Sequence, residues 1–247
     1  MNPALRDLIL GTSGDPPAPP FVPTDIANLG LWLDASDAAT ITLDGSNNVS
    51  QWNDKSGNGR NLTQGVTTQR PSYTSGVVSF DGSDDNLGIG SYNLTSATES
   101  SLFAVLRHRT VATSLGVAVA FGTNSSFGGQ SLERGRTSGK RGYVVGRNTP
   151  SGNEQTLAGS DITTLRIVQG NVYSGTTLEG FVNNVSDGTA SFTGPLNSGS
   201  GFILGRYFAT GFPANVDVCE VVHYNRALTS GERASLHAYF VAKWSIT

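Results

Sequence analysis

Short apolar runs closed off by Gly, Asn, Ser or Asp recur at roughly ten-residue spacing from about residue 27 to 227. "LGLWLDAS" alternates its large apolar side chains, and "VVSFDGSDDNLGI" reads as strand, turn and strand. "SLFAVLRHR", "LGVAVAFG", "RGYVVGR", "TLRIVQG", "LEGFVNN", "GFILGR" and "VDVCEVVHYN" read as further strands. No helical segments alternate with them, so a parallel α/β sheet is not expected and the pattern predicts an antiparallel sandwich. Composition agrees. The 31 glycines, with frequent Asn, supply the positive-φ positions of tight turns, whereas long amphipathic helices would need more than the 14% charged residues present.

The 247 residues suffice for one large β domain or two small ones. A net charge of −3 argues against nucleic acid as a partner, because phosphate binding needs clustered positive charge. Cys219 is the single cysteine, so no intrachain disulfide and no Cys-based metal site is expected. "MNPALRDLILGTSGDPP" lacks the basic region and sustained apolar core of a secretion signal. No run approaches the ~20 apolar residues of a membrane span, so no membrane insertion is expected.

The two ends differ from the body. Residues 1–26 open with Asn2-Pro3, a helix start, followed by Leu5, Leu8 and Ile9 at i, i+3 and i+4. Gly11 stops that helix, and "GDPPAPPFVP" favours an extended strap that carries Phe21. A helix so short orders only by docking. The segment is either a frayed terminus or an anchoring arm in which Leu5, Leu8, Ile9 and Phe21 meet a partner or a neighbouring subunit. At the other end, Thr229 and Glu232 form a capping box, and Leu236, Tyr239, Phe240 and Trp244 make one apolar face, which predicts a helix over 229–244 packed on the sandwich.

The series "GLWLDASD", "VSQWNDKSGNGRNLTQ", "RPSYTSGVVSFDGSDDNL" and "CEVVHYNRALTSGERASLHAYFVAKW" resembles the laminin-G-like, concanavalin-A-like jelly-roll domains, most of all those of phage virion proteins and bacterial surface proteins. The resemblance covers about residues 28 to 246. It implies an all-β antiparallel jelly-roll sandwich over 27–247 with an extended N-terminal arm (1–26) and one C-terminal helix. It also implies a non-enzymatic phage virion structural protein, made in the host cytoplasm and displayed on the particle surface. The favoured role is capsid decoration, with the arm on a major capsid or tail protein, copies joined as a homo-oligomer, and host-surface glycan as a further partner. The alternatives are a tail-associated receptor binder, a free lectin-like module, or a carbohydrate-active enzyme. The family often has an acidic residue just before the E-V-x-x-Y-N-R-A-L run. Cys219 stands there instead.

Trp52 precedes the turn-forming run Asn53–Gly59 and reads as a structural plug or, if exposed, a sugar-stacking platform. A glycosidase needs two carboxyl groups on one cleft, about 5 Å apart for retention or about 6.5–9.5 Å apart for inversion. The six glutamates show no alternate-position pair, and Asp217 and Glu220, three apart, point to opposite faces of a regular strand. No G-x-S-x-G elbow accompanies His108, His223 or His237, and Cys219, mid-strand among valines, is expected to be inert. Asp81, Asp84 and Asp85 form either a calcium site or a hydrogen-bonded turn; no cofactor is required, and Ca2+ is the one candidate. "ERGRTSGKRGYVVGR" reads as a hairpin with Arg134, Arg136, Lys140 and Arg141 facing solvent, where they could meet an anionic glycan or an acidic partner.

Overall fold

A computed structural model describes residues 20–92, 98–111, 114–122, 129–135, 137–146, 154–194, 196, 201–207 and 211–247. The first strands are β1 (Leu29–Asp34), β2 (Ile41–Leu43), β3 (Val49–Trp52), β4 (Leu62–Thr63), β5 (Ser72–Thr74), β6 (Val77–Asp81) and β7 (Leu87–Ile89). Then come β8 (Ser100–His108), β9 (Gly116–Gly122), β10 (Gly129–Arg134), β11 (Lys140–Gly146), β12 (Glu154–Asp161) and β13 (Ile167–Tyr173). The chain ends with β14 (Thr177–Val182), β15 (Val185–Ser191), β16 (Gly201–Leu204), β17 (Asn215–Tyr224) and helix α1 (Ser230–Trp244).

One sheet runs β15-β14-β13-β8-β17-β6-β5, and the other runs β12-β11-β10-β9-β16-β7-β4-β3-β2. Pairing is antiparallel throughout. The fold is therefore the expected jelly-roll sandwich with a C-terminal helix. β17 organises the first sheet: β8 covers one edge of it, while β6 takes residues 215–218 and β1 takes 220–224 of the other.

β8 and β17 are apolar at consecutive positions because both of their faces are covered. On β8, Leu102, Ala104 and Leu106 point between the sheets, whereas Phe103 and Val105 join the outer cluster under α1 with Leu236, Phe240 and Trp244. Full burial of each such side chain contributes roughly 1.5–3 kcal/mol, so α1 is a third layer rather than an appendage.

Trp52 is fully buried in the inter-sheet core, which bears out the plug reading. Behind it Asp54 gathers the loop. One carboxylate oxygen accepts from the Trp32 and Ser56 amides, and the other accepts from the Arg60 amide and the Ser56 hydroxyl. Asn58 donates to the carbonyls of Leu29 and Gly30, which fastens the loop to β1.

β10, β12 and β15 carry polar and small residues, "GQSLER", "EQTLAGSD" and "VSDGTAS", and no apolar run announces them. Residues 21–26, assigned above to the arm, pack on the body. The Phe21 ring meets Tyr239 edge-on at 6.1 Å, Pro23 is buried and accepts a hydrogen bond from the Tyr224 hydroxyl, and Ile26 is buried. Residues 21–26 thus belong to the body; Leu5, Leu8 and Ile9 lie outside the described residues.

Candidate functional site

The outer face of β17 carries an acidic hub. Glu220 is fully buried, and its carboxylate accepts from the indole nitrogens of Trp32 and Trp244 (2.6 Å each), the Tyr239 hydroxyl (2.9 Å) and Lys243 Nζ (2.9 Å). Lys243 also reaches Asp34 at 2.7 Å, where Lys55 arrives at 2.9 Å. Burial raises the Glu220 carboxyl above its ordinary range, against the pull of Lys243. Burial acts the same way on Asp34, but hydrogen bonds from Lys243, Ser36 and Lys55 outweigh it and hold that carboxyl low. The hub locks α1 to β1 and β17.

Sequence spacing placed Asp217 and Glu220 on opposite faces, and the structure corrects this. The register on β8 shifts between Val218 and Glu220, so a bulge at Cys219 returns Glu220 to the outer face that Asp217 occupies. Asp217 is spent on Arg107 and Ser79, and Glu220 on the hub. Neither faces a cleft.

Above the hub, α1 presents Ser235, Ala238, Tyr239, Ala242 and Lys243 on one stripe, at i, i+3, i+4, i+7 and i+8. Pro20, Phe21 and Val22 form the opposite wall of a largely apolar groove of about 640 Å³. Ser235, Ala238 and Ala242 are exposed along it. Sequence reasoning missed this groove because it weighed only the large residues of α1. The signal was the run of small residues on the face beside them.

Asp81, Asp84 and Asp85 do come together, with a carboxylate oxygen from each within 4.8 Å of the others. Gly82 (φ 83°) makes the turn possible, since a Cβ there would meet Asn215 Cβ at 2.9 Å. Asp85 accepts from the Asp81 amide at 3.0 Å, and Asp81 accepts from the Ser83 amide at 2.8 Å, so the turn holds itself by hydrogen bonds. Burial, with the charges of Asp81 and Asp84 adding to it, raises the Asp85 carboxyl to about 6. Three carboxylates are the right donor type for calcium, which takes six to eight oxygens.

The basic hairpin departs from expectation. Arg134 and Arg141 are 6% and 3% exposed and stand opposite one another in the β10–β11 register, so they do not face solvent. Arg141 donates to the hydroxyls of Ser160 and Thr163 across the sandwich edge. A strand alternates its faces, and positions 134 and 141 fall on the inward one. Lys140 is half-exposed and pairs with Asp161 at 2.8 Å; Arg136 lies outside the described residues.

The nucleophile-like groups are enclosed. His223 is fully buried between the Tyr92 hydroxyl (2.6 Å, at Nδ1) and Ser100 Oγ (2.7 Å, at Nε2), and Ser100 donates to Gln130. Burial depresses the imidazole to about 3, so it stays neutral. Ser100 is itself fully buried, which leaves no room for a substrate carbonyl. Cys219 is buried, and its thiol is pushed up to about 11 by that burial, as expected for an inert sulfur.

No family model matches the sequence, and no curated protein matches it. Solved structures do match in fold. The botulinum neurotoxin serotype D binding domain superposes with a TM-score of 0.64 at 10% identity, over 87% of this chain and 52% of that one. A sialidase of Trypanosoma rangeli, in complex with sialic acid, gives 0.60 at 15% identity over 88% of this chain and 35% of that one. The receptor binding domain of a botulinum neurotoxin C/D mosaic serotype gives 0.61 at 12% identity over 88% and 52%. The chain spans about half of the toxin domains and about a third of the sialidase. At these identities the likeness is one of fold, a β-sandwich.

Proposed function

We propose that this chain is a non-enzymatic surface module of a phage particle, a capsid decoration protein whose residues 1–19 tether a jelly-roll body. The observation that carries the reading is the seating of Phe21–Ile26. It seats Phe21–Ile26 against α1 and β17, and the sequence ahead of them carries the amphipathic Asn2–Leu10 stretch and a Pro-rich strap, which this reading makes the tether. The chemistry of the body supports a binding role over a catalytic one. Among the described residues, Glu220, Asp217, Asp34, His223 and Ser100 are committed to internal contacts. The resemblance to virion jelly-roll domains supplies the setting.

The experiment is deletion of residues 1–19, rather than the whole of 1–26, because Phe21 to Ile26 belong to the body. The shortened protein keeps its circular dichroism and thermal transition but no longer co-sediments with purified particles. Normal incorporation of a folded deletion variant overturns the tether. A second reading, a receptor- or glycan-binding module on a tail or free in solution, is favoured by the fold neighbours described as binding domains. The same shortened body on a glycan array decides it.

A further inference from the structure

We infer that the Lys243 side chain on α1 condenses with the Asp34 carboxyl on β1, so that an isopeptide bond ties the C-terminal helix to the first sheet. Glu220 is the base of that reaction. The inference concerns the body alone and does not depend on the tether.

The strand register builds the site. Asp34 and Glu220 are direct partners on β1 and β17, which sets two carboxyl groups side by side. Like charges directly opposite on a sheet repel, so the pair needs a cation between them. Lys243 supplies it from α1: its Nζ lies 2.7 Å from Asp34 Oδ1 and 2.9 Å from Glu220 Oε2. Amine, carboxyl and base are in contact before any reaction, and such placement replaces the entropy that a bimolecular condensation must find. The Asp34 and Glu220 side chains are 4% and 0% exposed, and the rings of Tyr239 and Trp244 each stand 5.2 Å from Nζ. Exclusion of water favours the neutral amine and acid over two buried charges.

At rest, against the pull of burial, hydrogen bonds from Lys243, Ser36 and Lys55 keep Asp34 ionised, so the first step is a proton transfer. One ammonium proton crosses the 2.7 Å contact from Lys243 to Asp34 Oδ1 and leaves a neutral amine beside a neutral acid. The Nζ lone pair attacks Cγ, and the electron pair of the Cγ–Oδ2 double bond moves onto Oδ2. That developing oxyanion lies 2.9 Å from the Lys55 ammonium. Burial works against the Lys55 charge, but hydrogen bonds to Asp34 and Asp37 outweigh it and hold the ammonium above its ordinary range. Glu220 takes the second proton from Nζ and returns it to Oδ1; burial raises its carboxyl and makes it a stronger base than a solvated glutamate. Oδ1 leaves as water with two protons, the Oδ2 pair restores the carbonyl, and the third proton stays on the amide nitrogen. Nothing is oxidised or reduced. Lys55 also touches Asp34, but its other carboxylate, Asp37, is 38% exposed and offers no sheltered base.

The test is the intact mass of the full chain, purified folded and held at neutral pH. The expected mass is one water below that of the sequence. Tryptic digestion then gives one branched peptide that joins Asp34 to Lys243, with cleavage after Lys243 lost. Lys243→Arg keeps a cation against both carboxyl groups but has no amine that can condense, so it stays at full mass and runs differently from the cross-linked chain in a denaturing gel. Glu220→Gln, once circular dichroism shows it folded, condenses at least about a hundredfold more slowly. The unaltered chain decides the bond whether or not that variant folds. An unaltered protein at full mass overturns the inference, and so does a lost water that maps to Lys55 or to any pair other than Asp34 and Lys243. A Glu220→Gln chain that condenses at the original rate overturns the role of Glu220.

Discussion

Glu220 is fully buried, and four donors hold its carboxylate in place of solvent: two indoles, a phenol and an ammonium. Each carboxylate oxygen serves two of them, Oε1 for Trp32 and Tyr239 and Oε2 for Trp244 and Lys243. Glu220→Gln keeps the shape but turns one oxygen into an NH2 that faces two donors. Removing one side of a buried ion pair costs about 3–5 kcal/mol, and a loss of that size is expected in urea unfolding followed by tryptophan fluorescence. A loss below about 1 kcal/mol would show that the hub is dispensable. At this scale the sequence was partly legible. Trp52 could be read as a plug because an indole beside a run of turn-formers has few other uses. Glu220 could not, because its role depends on a bulge at Cys219 and on α1 arriving from 24 residues away. Arg134 and Arg141 misled for a related reason. A Gly-Lys-Arg-Gly turn looks solvated until the register shows the two guanidinium groups facing inward together.

Among elements, α1 separates what starts a helix from what holds it. Its capping box forms as the spacing predicted: the Thr229 hydroxyl accepts from the Glu232 amide at 3.3 Å, and the Glu232 carboxylate accepts from the Thr229 amide at 2.9 Å and is clamped by Arg226. Its holding force is the burial of Leu236, Phe240 and Trp244 on the outer face of the first sheet. Thr229→Ala should cost about 1 kcal/mol, and Phe240→Ala about 3–5 kcal/mol. Chemical denaturation gives both values, and equal costs would contradict the view that packing dominates. The strong strands and α1 were legible because a clear apolar periodicity or a capping box marks each. β12 and β15 were not, and of β10 only the Glu133–Arg134 end was, within the basic hairpin. Their side chains are small and polar, and what places them is hydrogen bonding to a neighbour already in the sheet.

For the molecule as a whole, acid sensitivity follows from where the sandwich keeps its histidines. Unfolded, each takes a proton near pH 6.5. Burial lowers His223 to about 3 and His237 below its ordinary value; burial, with Arg134 and Arg141 adding positive charge nearby, lowers His108 to about 4. Between pH 6 and 5 the unfolded chain therefore binds more protons at these sites than the folded one, and stability falls as pH drops through that window. Asp85 opposes the fall. Its folded carboxyl takes a proton near 6, well above the unfolded range, so there the folded chain binds more. Glu220, raised by burial, opposes the fall in the same sense, and each proton of difference is worth about 1.4 kcal/mol per pH unit. Asp85→Asn keeps an acceptor for the Asp81 amide and removes the opposing proton, so its stability should fall with acid more steeply by about one proton. Urea unfolding free energies measured from pH 6 to 5 give both slopes. A chelator is included, because calcium on Asp81, Asp84 and Asp85 would hold the carboxyl ionised and abolish its contribution. A flat profile for the unaltered protein would mean the histidines are hydrated in the folded state. Equal slopes for the two proteins would mean Asp85 is already ionised in its turn.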